Sequence, residues 1–175
     1  MNRGLIHIYC GDGKGKTTAA IGLAVRAAGR GMPVLIAQFL KGRESGELHA
    51  LAKIHEITLL RGKAGDKFTF QMDERELQRT YDENSKLLLS AVEAARAGDC
   101  RLLVLDEIMG ALSTGTVDAD LLRSFVERKP AELELVLTGR NPPGWLVEAA
   151  DYVSEIQKRK HPFDRGIPAR EGIEL

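Results

Sequence analysis

The sequence is poor in cysteine and in aromatic residues and has no excess of charge, and each shortage excludes a class of protein. Two cysteines, Cys10 and Cys100, cannot form the several bridges that hold a small disulfide-rich domain together. The 25 lysines and arginines are balanced by 25 aspartates and glutamates, so the basic footprint of a dedicated nucleic-acid binder is absent. Aromatic residues make up only 5% of the chain, so any aromatic side chain outside the core calls for an explanation.

Long hydrophobic runs are also missing. No stretch approaches the ~20 apolar residues of a membrane span, and the first residues carry no apolar signal-peptide segment. We therefore expect a cytoplasmic protein with no membrane association and no nucleic-acid partner. The 175 residues, 43% of them hydrophobic, suffice for one core, and the sequence predicts a single domain over 1–175.

Short β-rich runs alternate with helical patterns along the whole chain. Strands are predicted at 5–9, 33–39, 54–60, 101–107, 133–138 and 152–156, and helices at 17–30, 73–97, 118–127 and 143–149. The segments 61–72 and 108–117 are predicted to be irregular. Unbroken runs of valine, leucine and isoleucine are typical of strands that helices cover on both faces. The sequence therefore predicts an α/β fold with a mostly parallel sheet flanked by helices.

A glycine-rich loop follows the first predicted strand and runs directly into the first predicted helix. Glycines let successive backbone N–H groups point at phosphate oxygens, and the helix N-terminus adds positive potential. Lys16 can reach phosphates as a point charge, and the Thr17 hydroxyl can bind Mg²⁺. This context predicts a phosphate-loop (P-loop) nucleotide-binding fold that binds the triphosphate of ATP. The ATP-binding residues predicted from the loop are Gly11, Asp12, Gly13, Lys14, Gly15, Lys16, Thr17 and Thr18.

The spacing of this loop differs from the standard phosphate-loop pattern by one glycine. When Lys16 is aligned with the lysine of GxxxxGK[ST], the first glycine of the pattern falls at Cys10. The first glycine of the chain's own loop is Gly11 instead. The loop is therefore a variant, and the usual orientation of the nucleotide is not assumed.

Two acidic residues, Asp106 and Glu107, close the most hydrophobic predicted strand. Ligands of an open parallel sheet bind outside the carboxyl ends of its strands. Carboxylates in that position can hold the Mg²⁺ that bridges phosphates, so the predicted metal ligands are Thr17, Asp106 and Glu107. Glu107 has an alternative role, because in a hydrolase it would orient an attacking water.

Two of the five phenylalanines, Phe68 and Phe70, fall in the irregular stretch 61–72. The glycines and charges around them argue against a core strand. Two interpretations stay open at this point. The rings form a hydrophobic surface for a ligand, or they fold back and anchor the loop.

Basic residues after the last predicted strands also have more than one interpretation. Arg140 follows the strand 133–138 and would either contact phosphate or cap a helix. Lys158 and Arg159 are expected to be solvated. His161 is expected to have a structural role or a role in the site.

Seven short motifs occur in a fixed order along nearly the whole chain. They are Gly-Asp-Gly-Lys-Gly-Lys-Thr-Thr-Ala-Ala at 11–20, Arg-Ala-Ala-Gly at 26–29, Gln-Phe-Leu-Lys-Gly at 38–42, Leu-Asp-Glu at 105–107, Thr-Gly-Arg at 138–140, Ala-Asp-Tyr-Val-Ser-Glu at 150–155 and Lys-His-Pro-Phe-Asp-Arg-Gly at 160–166. Each motif alone is weak, but the ordered set resembles the phosphate-loop type of ATP:cob(I)alamin adenosyltransferase. These enzymes are also called cob(I)yrinic acid a,c-diamide adenosyltransferases and act in adenosylcobalamin biosynthesis.

The resemblance implies transfer of the 5′-deoxyadenosyl group of ATP to the Co(I) of a reduced corrinoid, with release of triphosphate. The corrinoid, cobalamin or cobyrinic acid a,c-diamide, is then a co-substrate. Family members hold ATP reversed relative to ordinary phosphate-loop enzymes, which would accommodate the missing glycine. Co(I) has no proton to lose, so the protein needs no general base and instead neutralises the leaving group. The catalytic residues implied are Lys16, Thr17 and Glu107, acting with Mg²⁺.

The resemblance also assigns residues outside the phosphate loop. Phe68 and Phe70 match an aromatic Phe-Thr-Trp loop that binds the corrinoid and helps displace the lower cobalt ligand, with Phe70 replacing the usual tryptophan. Arg26 matches an arginine that contacts ATP phosphate, and a salt bridge on the helix surface is the competing explanation. A homodimer and a flavoprotein reductase that supplies Co(I) are the implied partners. Some members cover the site with an N-terminal helix, which this sequence lacks, so we expect any lid to come from elsewhere.

Two other functions stay open. A phosphate-loop ATPase or kinase of another specificity would release ADP and would need a site for water or an acceptor hydroxyl. A nucleotide-dependent binding module, such as a corrinoid carrier or regulator, would show no turnover. The products of ATP separate the transferase from the ATPase or kinase, and turnover separates both enzymes from the binding module.

Overall fold

In the computed structural model, residues 3–42, 45–62 and 69–174 are described, and within them the chain forms a six-stranded sheet. The strands are β1 Ile6–Cys10, β2 Val34–Gln38, β3 Ile57–Arg61, β4 Leu102–Asp106, β5 Glu134–Thr138 and β6 Tyr152–Glu155. Their order across the sheet is β3-β2-β4-β5-β1-β6, and every neighbouring pair is parallel. The predicted α/β class with a parallel sheet is therefore confirmed. The extent of the domain, 1–175, stays a prediction.

Helices follow the strands and cover both faces of the sheet. They are α1 Lys16–Ala28, α2 Gly46–Leu51, α3 Glu74–Ala97, α4 Ile108–Ser113, α5 Ala119–Glu127 and α6 Gly144–Ala149, with single 3₁₀ turns at Thr69–Gln71 and Pro162–Arg165. The prediction that 108–117 is irregular is wrong for its first half, which forms α4. A helix of six residues is too short to display an apolar period, and for the same reason α2 escaped prediction.

The longest helix, α3, shows why the local sequence sets its bounds. Asp73 accepts a hydrogen bond from the Glu76 N–H at 2.9 Å, and the Glu76 carboxylate accepts one from the Asp73 N–H at 3.1 Å. This reciprocal capping box satisfies two N–H groups that the first turn leaves free. Gly98, with φ 83°, ends the helix in the left-handed conformation that glycine adopts without strain.

The core consists of two apolar layers on opposite faces of the sheet. Leu35 and Ala37 of β2 face the layer that α3, α5 and α6 cover, whereas Val34 and Ile36 face the layer of α1 and α2. This alternation is the period of two along a strand. Among the described residues, no helix combines the length and the hydrophobicity that a bilayer crossing requires.

The parallel arrangement brings the carboxyl ends of all the strands to one edge of the sheet. Among the described residues, the non-glycine residues with a left-handed backbone are Leu40 (φ 55°), Glu107 (φ 62°) and Asn141 (φ 48°), which lie just after β2, β4 and β5. Each such conformation costs about 1–3 kcal/mol and persists only where the surroundings impose it. Strain is therefore concentrated at the edge where parallel sheets bind their ligands.

Candidate active site

The glycine-rich loop leaves β1 and enters α1 as predicted, and two of its glycines are required by packing. A Cβ atom at Gly11 would lie 2.4 Å from the carbonyl oxygen of Ile156, and one at Gly13 would lie 2.7 Å from the same atom. The Gly13 N–H donates to that carbonyl at 2.7 Å. The segment that follows β6 therefore braces the loop along one side. Gly15, with φ 123°, is required by its backbone conformation instead.

The missing first glycine of the pattern has a structural reason. Position 10 is still part of β1, where Cys10 pairs in register with Glu155 of β6. Its carbonyl accepts a hydrogen bond from the Ile156 N–H at 2.8 Å, and its side chain is buried. The strand therefore continues through the position where the standard pattern already turns.

Asp12 connects the loop to the segment after β6. Its Oδ1 atom accepts a hydrogen bond from the Lys158 N–H at 2.9 Å. That hydrogen bond lowers the pKa of the Asp12 carboxyl. The carboxylate of this predicted ATP-binding residue therefore braces the loop, and its backbone is the part suited to face phosphate.

A cavity of about 500 Å³ opens above the loop. Residues 12–18 line it, together with Lys41, Glu107, Arg140 and His161. Lys16 Nζ donates to the Gly13 carbonyl oxygen at 2.9 Å, and burial lowers the pKa of its amine. The cavity thus gathers the N-terminus of α1 and several basic side chains, an arrangement suited to a polyphosphate.

Asp106, at the end of β4, joins four neighbouring side chains. Its Oδ1 atom accepts hydrogen bonds from the hydroxyls of Thr17 at 2.9 Å and Thr138 at 2.7 Å. Its Oδ2 atom accepts from Gln38 Nε2 at 3.2 Å and Lys41 Nζ at 2.7 Å. The residue is 1% exposed, and a buried carboxylate requires such compensation. Asp106 therefore links the phosphate loop to the ends of β2 and β5.

Glu107 turns away from the strand in the left-handed conformation and lines the cavity. Its N–H donates to the Thr138 hydroxyl at 2.8 Å, which helps to fix this turn. Burial, and then the negative charge of Asp106, raise the pKa of the Glu107 carboxyl. The site therefore holds this acid in an environment that disfavours its charge, as catalytic sites often do.

Replacing Glu107 with glutamine is expected to stabilise the ligand-free protein near neutral pH. In the pH range between the ordinary glutamate value of 4.5 and the raised pKa of the folded protein, the folded state binds more protons than the unfolded state. Stability of the unmodified protein therefore falls as pH rises through that range, and the variant escapes this loss. Thermal unfolding of both proteins across a range of pH checks this. The Glu107→Gln protein should be the more stable of the two at neutral pH, and the difference in stability should disappear below pH 4.5. An advantage independent of pH would contradict it.

The predicted metal ligands fit Mg²⁺ in their donor chemistry. Thr17, Asp106 and Glu107 offer hydroxyl and carboxylate oxygens, the ligands this ion prefers. Within the described ranges, no group of three or more His, Cys, Asp or Glu side chains is placed to hold a metal ion. Mg²⁺ bound with a nucleotide usually takes one or two protein oxygens and completes its shell with phosphates and water. Thr17, Asp106 and Glu107 therefore suit a Mg²⁺ site whose remaining ligands are phosphate oxygens and water.

The predicted ATP contact of Arg26 and the predicted corrinoid contacts of Phe68 and Phe70 lie outside the phosphate loop. Arg26 is exposed in the last turn of α1, ten residues beyond Lys16 and thus about 15 Å along the helix. Arg26 is not among the residues that line the loop cavity, and its contact with an ATP phosphate stays a prediction. Phe68 lies outside the described residues. Phe70 is 82% exposed, so its ring does not anchor the loop by burial.

Sequence reasoning gave no role to Lys41 or Glu174, and the structure places both at the cavity. Lys41 stands three residues beyond the last residue of β2, and its position at a carboxyl edge was the available signal. Glu174 Oε1 lies 3.0 Å from Lys14 Nζ, a contact across 160 positions of sequence that no local pattern reveals. Hydrogen bonds from Arg170 and Lys14 lower the pKa of Glu174 to about 2.

Arg140 and the segment after β6 form an adjoining cavity of about 290 Å³. Lys158, His161 and Phe163 share its lining with Arg140. Lys158 and Arg159 are exposed, in line with the expected solvation, and Lys158 also pairs with Asp164 at 3.2 Å. Arg140 lines both cavities, which favours the phosphate-contact interpretation over a helix cap.

Comparison with known proteins agrees with the series of motifs. The family model described as ATP:corrinoid adenosyltransferase BtuR/CobO/CobP matches residues 2–175. A corrinoid adenosyltransferase of Sinorhizobium sp is 37% identical over 175 residues, which cover 99% of this chain and 81% of that protein. One from Pseudomonas aeruginosa is 34% identical over 173 residues, covering 99% of this chain and 84% of that protein.

The fold also matches a solved structure of a distant protein. A KaiC-like protein from the archaeon Pyrococcus horikoshii aligns with a TM-score of 0.59 over 92% of this chain and 76% of that chain. The sequences are 17% identical, so this likeness concerns the fold alone. It supports the predicted phosphate-loop architecture of the sheet and its flanking helices.

Proposed function

The chain belongs to the ATP:corrinoid adenosyltransferase family BtuR/CobO/CobP, and on that basis we propose that it transfers the 5′-deoxyadenosyl group of ATP to the Co(I) of a reduced corrinoid and releases triphosphate. Membership makes it an enzyme of ATP:corrinoid adenosyl transfer. One observation carries the finer proposal: the phosphate loop, Glu107 and several basic side chains line one cavity, and Thr17 of that lining donates a hydrogen bond to the buried Asp106.

The proposed step is a displacement at the C5′ atom of ATP. An electron pair of the substrate Co(I) forms the new Co–C bond while the C5′–O bond breaks. The electron pair of the broken bond leaves with the triphosphate. No proton is transferred, so the site needs no general base. It needs groups that stabilise the negative charge developing on the leaving oxygen.

The residues around the loop are suited to that stabilisation. Lys16 donates to the Gly13 carbonyl, a neutral partner that a charged phosphate oxygen would readily replace. The N–H groups at the start of α1 and the Arg140 side chain add positive potential on the same cavity. Thr17, Asp106 and Glu107 would hold Mg²⁺, which when bound would neutralise charge on the phosphates.

We also propose that Phe68 and Phe70 contact the corrinoid. The 82% exposure of Phe70 supports this, because a large exposed apolar ring gains from burial against a hydrophobic co-substrate. Family resemblance further supports a cytoplasmic homodimer and a flavoprotein reductase as the source of Co(I). The light-scattering mass of the purified chain tests the dimer.

Replacing Phe70 with alanine is expected to raise the KM for the corrinoid by about 10- to 100-fold, since burying an aromatic ring contributes roughly 1.5–3 kcal/mol. Folding stability should change by less than about 0.5 kcal/mol, because the ring is exposed. Steady-state kinetics with each substrate varied in turn checks this, and the KM for ATP serves as the internal control. An unchanged corrinoid KM would remove Phe70 from the proposed binding surface.

The function is tested by mixing the protein with ATP, Mg²⁺ and chemically reduced cob(I)alamin without oxygen. We expect loss of the Co(I) absorbance, a light-sensitive Co–C product and one intact triphosphate for each corrinoid alkylated. ADP and phosphate without an alkylated corrinoid would reject the transferase and favour an ATPase or kinase. Binding of both substrates with no product would favour a carrier or regulator.

A further inference from the structure

The Lys41 side chain occupies the position between two of the proposed metal ligands. Its Nζ atom lies 2.7 Å from Asp106 Oδ2 and donates to Thr17 Oγ1 at 3.2 Å. The side chain is 27% exposed and lines the loop cavity. An ammonium group therefore bridges the carboxylate and the hydroxyl that a divalent cation would use.

The burial of Asp106 explains why a cation is needed there. An ionised carboxylate that is 1% exposed is poorly solvated, and hydroxyl and amide donors compensate its charge only in part. Among the described residues, Lys41 is the cationic side chain within salt-bridge distance of Asp106. In the ligand-free fold, Lys41 therefore neutralises this carboxylate.

The backbone of Lys41 is anchored by a neighbouring residue, and its long side chain can change rotamer without moving that backbone. Leu40 turns the chain in the left-handed conformation directly after β2. The Lys41 carbonyl then accepts a hydrogen bond from Arg61 Nη2 at 3.0 Å. A flexible four-carbon stem extends from this anchored point into the cavity. Rearrangement of Lys41 thus requires only side-chain rotation.

A divalent cation and this ammonium group compete for the same oxygens. Mg²⁺ binds oxygen at about 2.0–2.1 Å, so it needs the space beside Asp106 Oδ2 and Thr17 Oγ1 that Lys41 Nζ now fills. Two positive centres that close together also repel each other strongly at low dielectric. Metal entry therefore requires Lys41 to leave.

We propose that Lys41 is a positioning residue that holds the metal position in the nucleotide-free protein and moves to the triphosphate when the metal–ATP complex binds. Once a metal takes its two oxygens, the ammonium needs a new anionic partner, and phosphate oxygens are the anions that the substrate brings into this cavity. Lys41 thereby prevents a metal from binding without its nucleotide. The identity of the nucleotide rests on the proposed function, whereas the exclusion of free metal rests on the contacts alone.

The test measures binding of Mn²⁺ alone to the nucleotide-free protein by electron paramagnetic resonance. Glutamine at position 41 keeps a donor for Asp106 but removes the charge, so Lys41→Gln is expected to tighten Mn²⁺ binding by about tenfold or more. Lys53→Gln removes the same charge from an exposed position and should change Mn²⁺ affinity less than about twofold. Equal Mn²⁺ affinity in the unmodified and Lys41→Gln proteins would overturn the proposal.

The second part of the proposal, the movement of Lys41 to the triphosphate, is tested with nucleotide. In the unmodified protein, ATP should tighten Mn²⁺ binding, because the triphosphate draws Lys41 away from the two metal-binding oxygens. Lys41→Gln should reduce this tightening by about tenfold or more. Tightening by ATP that is equally large in both proteins would overturn the movement of Lys41 to the triphosphate.

The unmodified protein gives a check that needs no variant. Mn²⁺ alone should leave its thermal midpoint unchanged, whereas Mn²⁺ with ATP should raise it. Stabilisation by micromolar Mn²⁺ alone would overturn the proposal even if Lys41→Gln failed to fold. None of the measurements uses a corrinoid, so a failure of adenosyl transfer is distinguishable from a failure of this inference.

Discussion

Replacing Lys16 with alanine is expected to lower the rate of adenosyl transfer by about 10²–10³-fold, the effect typical of removing one preorganised donor to a developing charge. The Lys16 amine lies at the loop, and its hydrogen bond to the Gly13 carbonyl keeps it at the cavity floor. Burial lowers the pKa of this amine, so the folded site disfavours its charge before an anion arrives. A triphosphate supplies that compensation, most strongly as negative charge builds up on the leaving group.

The rate of Co–C bond formation in a single turnover measures this effect directly. Lys14→Ala is the matched control, since Lys14 also belongs to the loop but is about half exposed and pairs with Glu174. We expect its effect to stay below about tenfold, as for other exposed ion pairs. A Lys16→Ala protein that keeps a rate within tenfold of the unmodified protein would show that the leaving group is stabilised elsewhere.

Replacing Gly13 with alanine is expected to weaken ATP binding by about 100-fold or more, because displacements near 1 Å have effects of this size in preorganised sites. The new Cβ atom would lie 2.7 Å from the Ile156 carbonyl oxygen and 2.9 Å from the Gln157 carbonyl carbon. Both are backbone atoms of the segment that braces the loop, so neither can rotate away. The loop must shift, and the hydrogen bond from Gly13 N–H to Ile156 is lost.

Gly22→Ala provides the matched control for this change. Gly22 lies within α1, and a Cβ atom there would meet nothing within 4 Å. Alanine in a helix interior is favoured over glycine by about 0.8–1.0 kcal/mol, so this variant should be more stable and should bind ATP normally. Calorimetric titration with ATP and thermal unfolding distinguish the two variants. Normal ATP binding by Gly13→Ala would refute the role of the brace.

The fold was largely predictable because its strands are buried on both faces. Runs such as Leu102–Leu105 have no polar face, which in a chain of alternating strands and helices indicates a parallel sheet. The helices α2 and α4 were not predictable from periodicity, since six residues make fewer than two turns. Their positions depend on the packing of neighbouring elements.

The candidate site was predictable only where its residues form a local pattern. The residues of the loop form one continuous stretch, and so do the two acids at the end of β4. Both stretches follow parallel strands, so they meet at the carboxyl edge of the sheet. The position of Lys41 just after β2 was a signal in the sequence, but its role follows from its contact with Asp106, 65 positions away. Arg26 is the opposite case. Its motif predicts a contact with ATP, whereas the rise of α1 separates it from Lys16 by about 15 Å, so this contact stays a prediction.

The last described residues, 172–174, line the loop cavity. Glu174 is tied there to Lys14, whereas the Gly4 N–H, just before β1, bonds to the Ala131 carbonyl at the opposite edge of the sheet. An affinity tag or a solid support joined beyond Glu174 would therefore lie close to the cavity in which we propose that ATP binds. The same attachment before Gly4 would leave the cavity accessible. An attachment on the amino-terminal side is therefore better suited to purification and immobilisation.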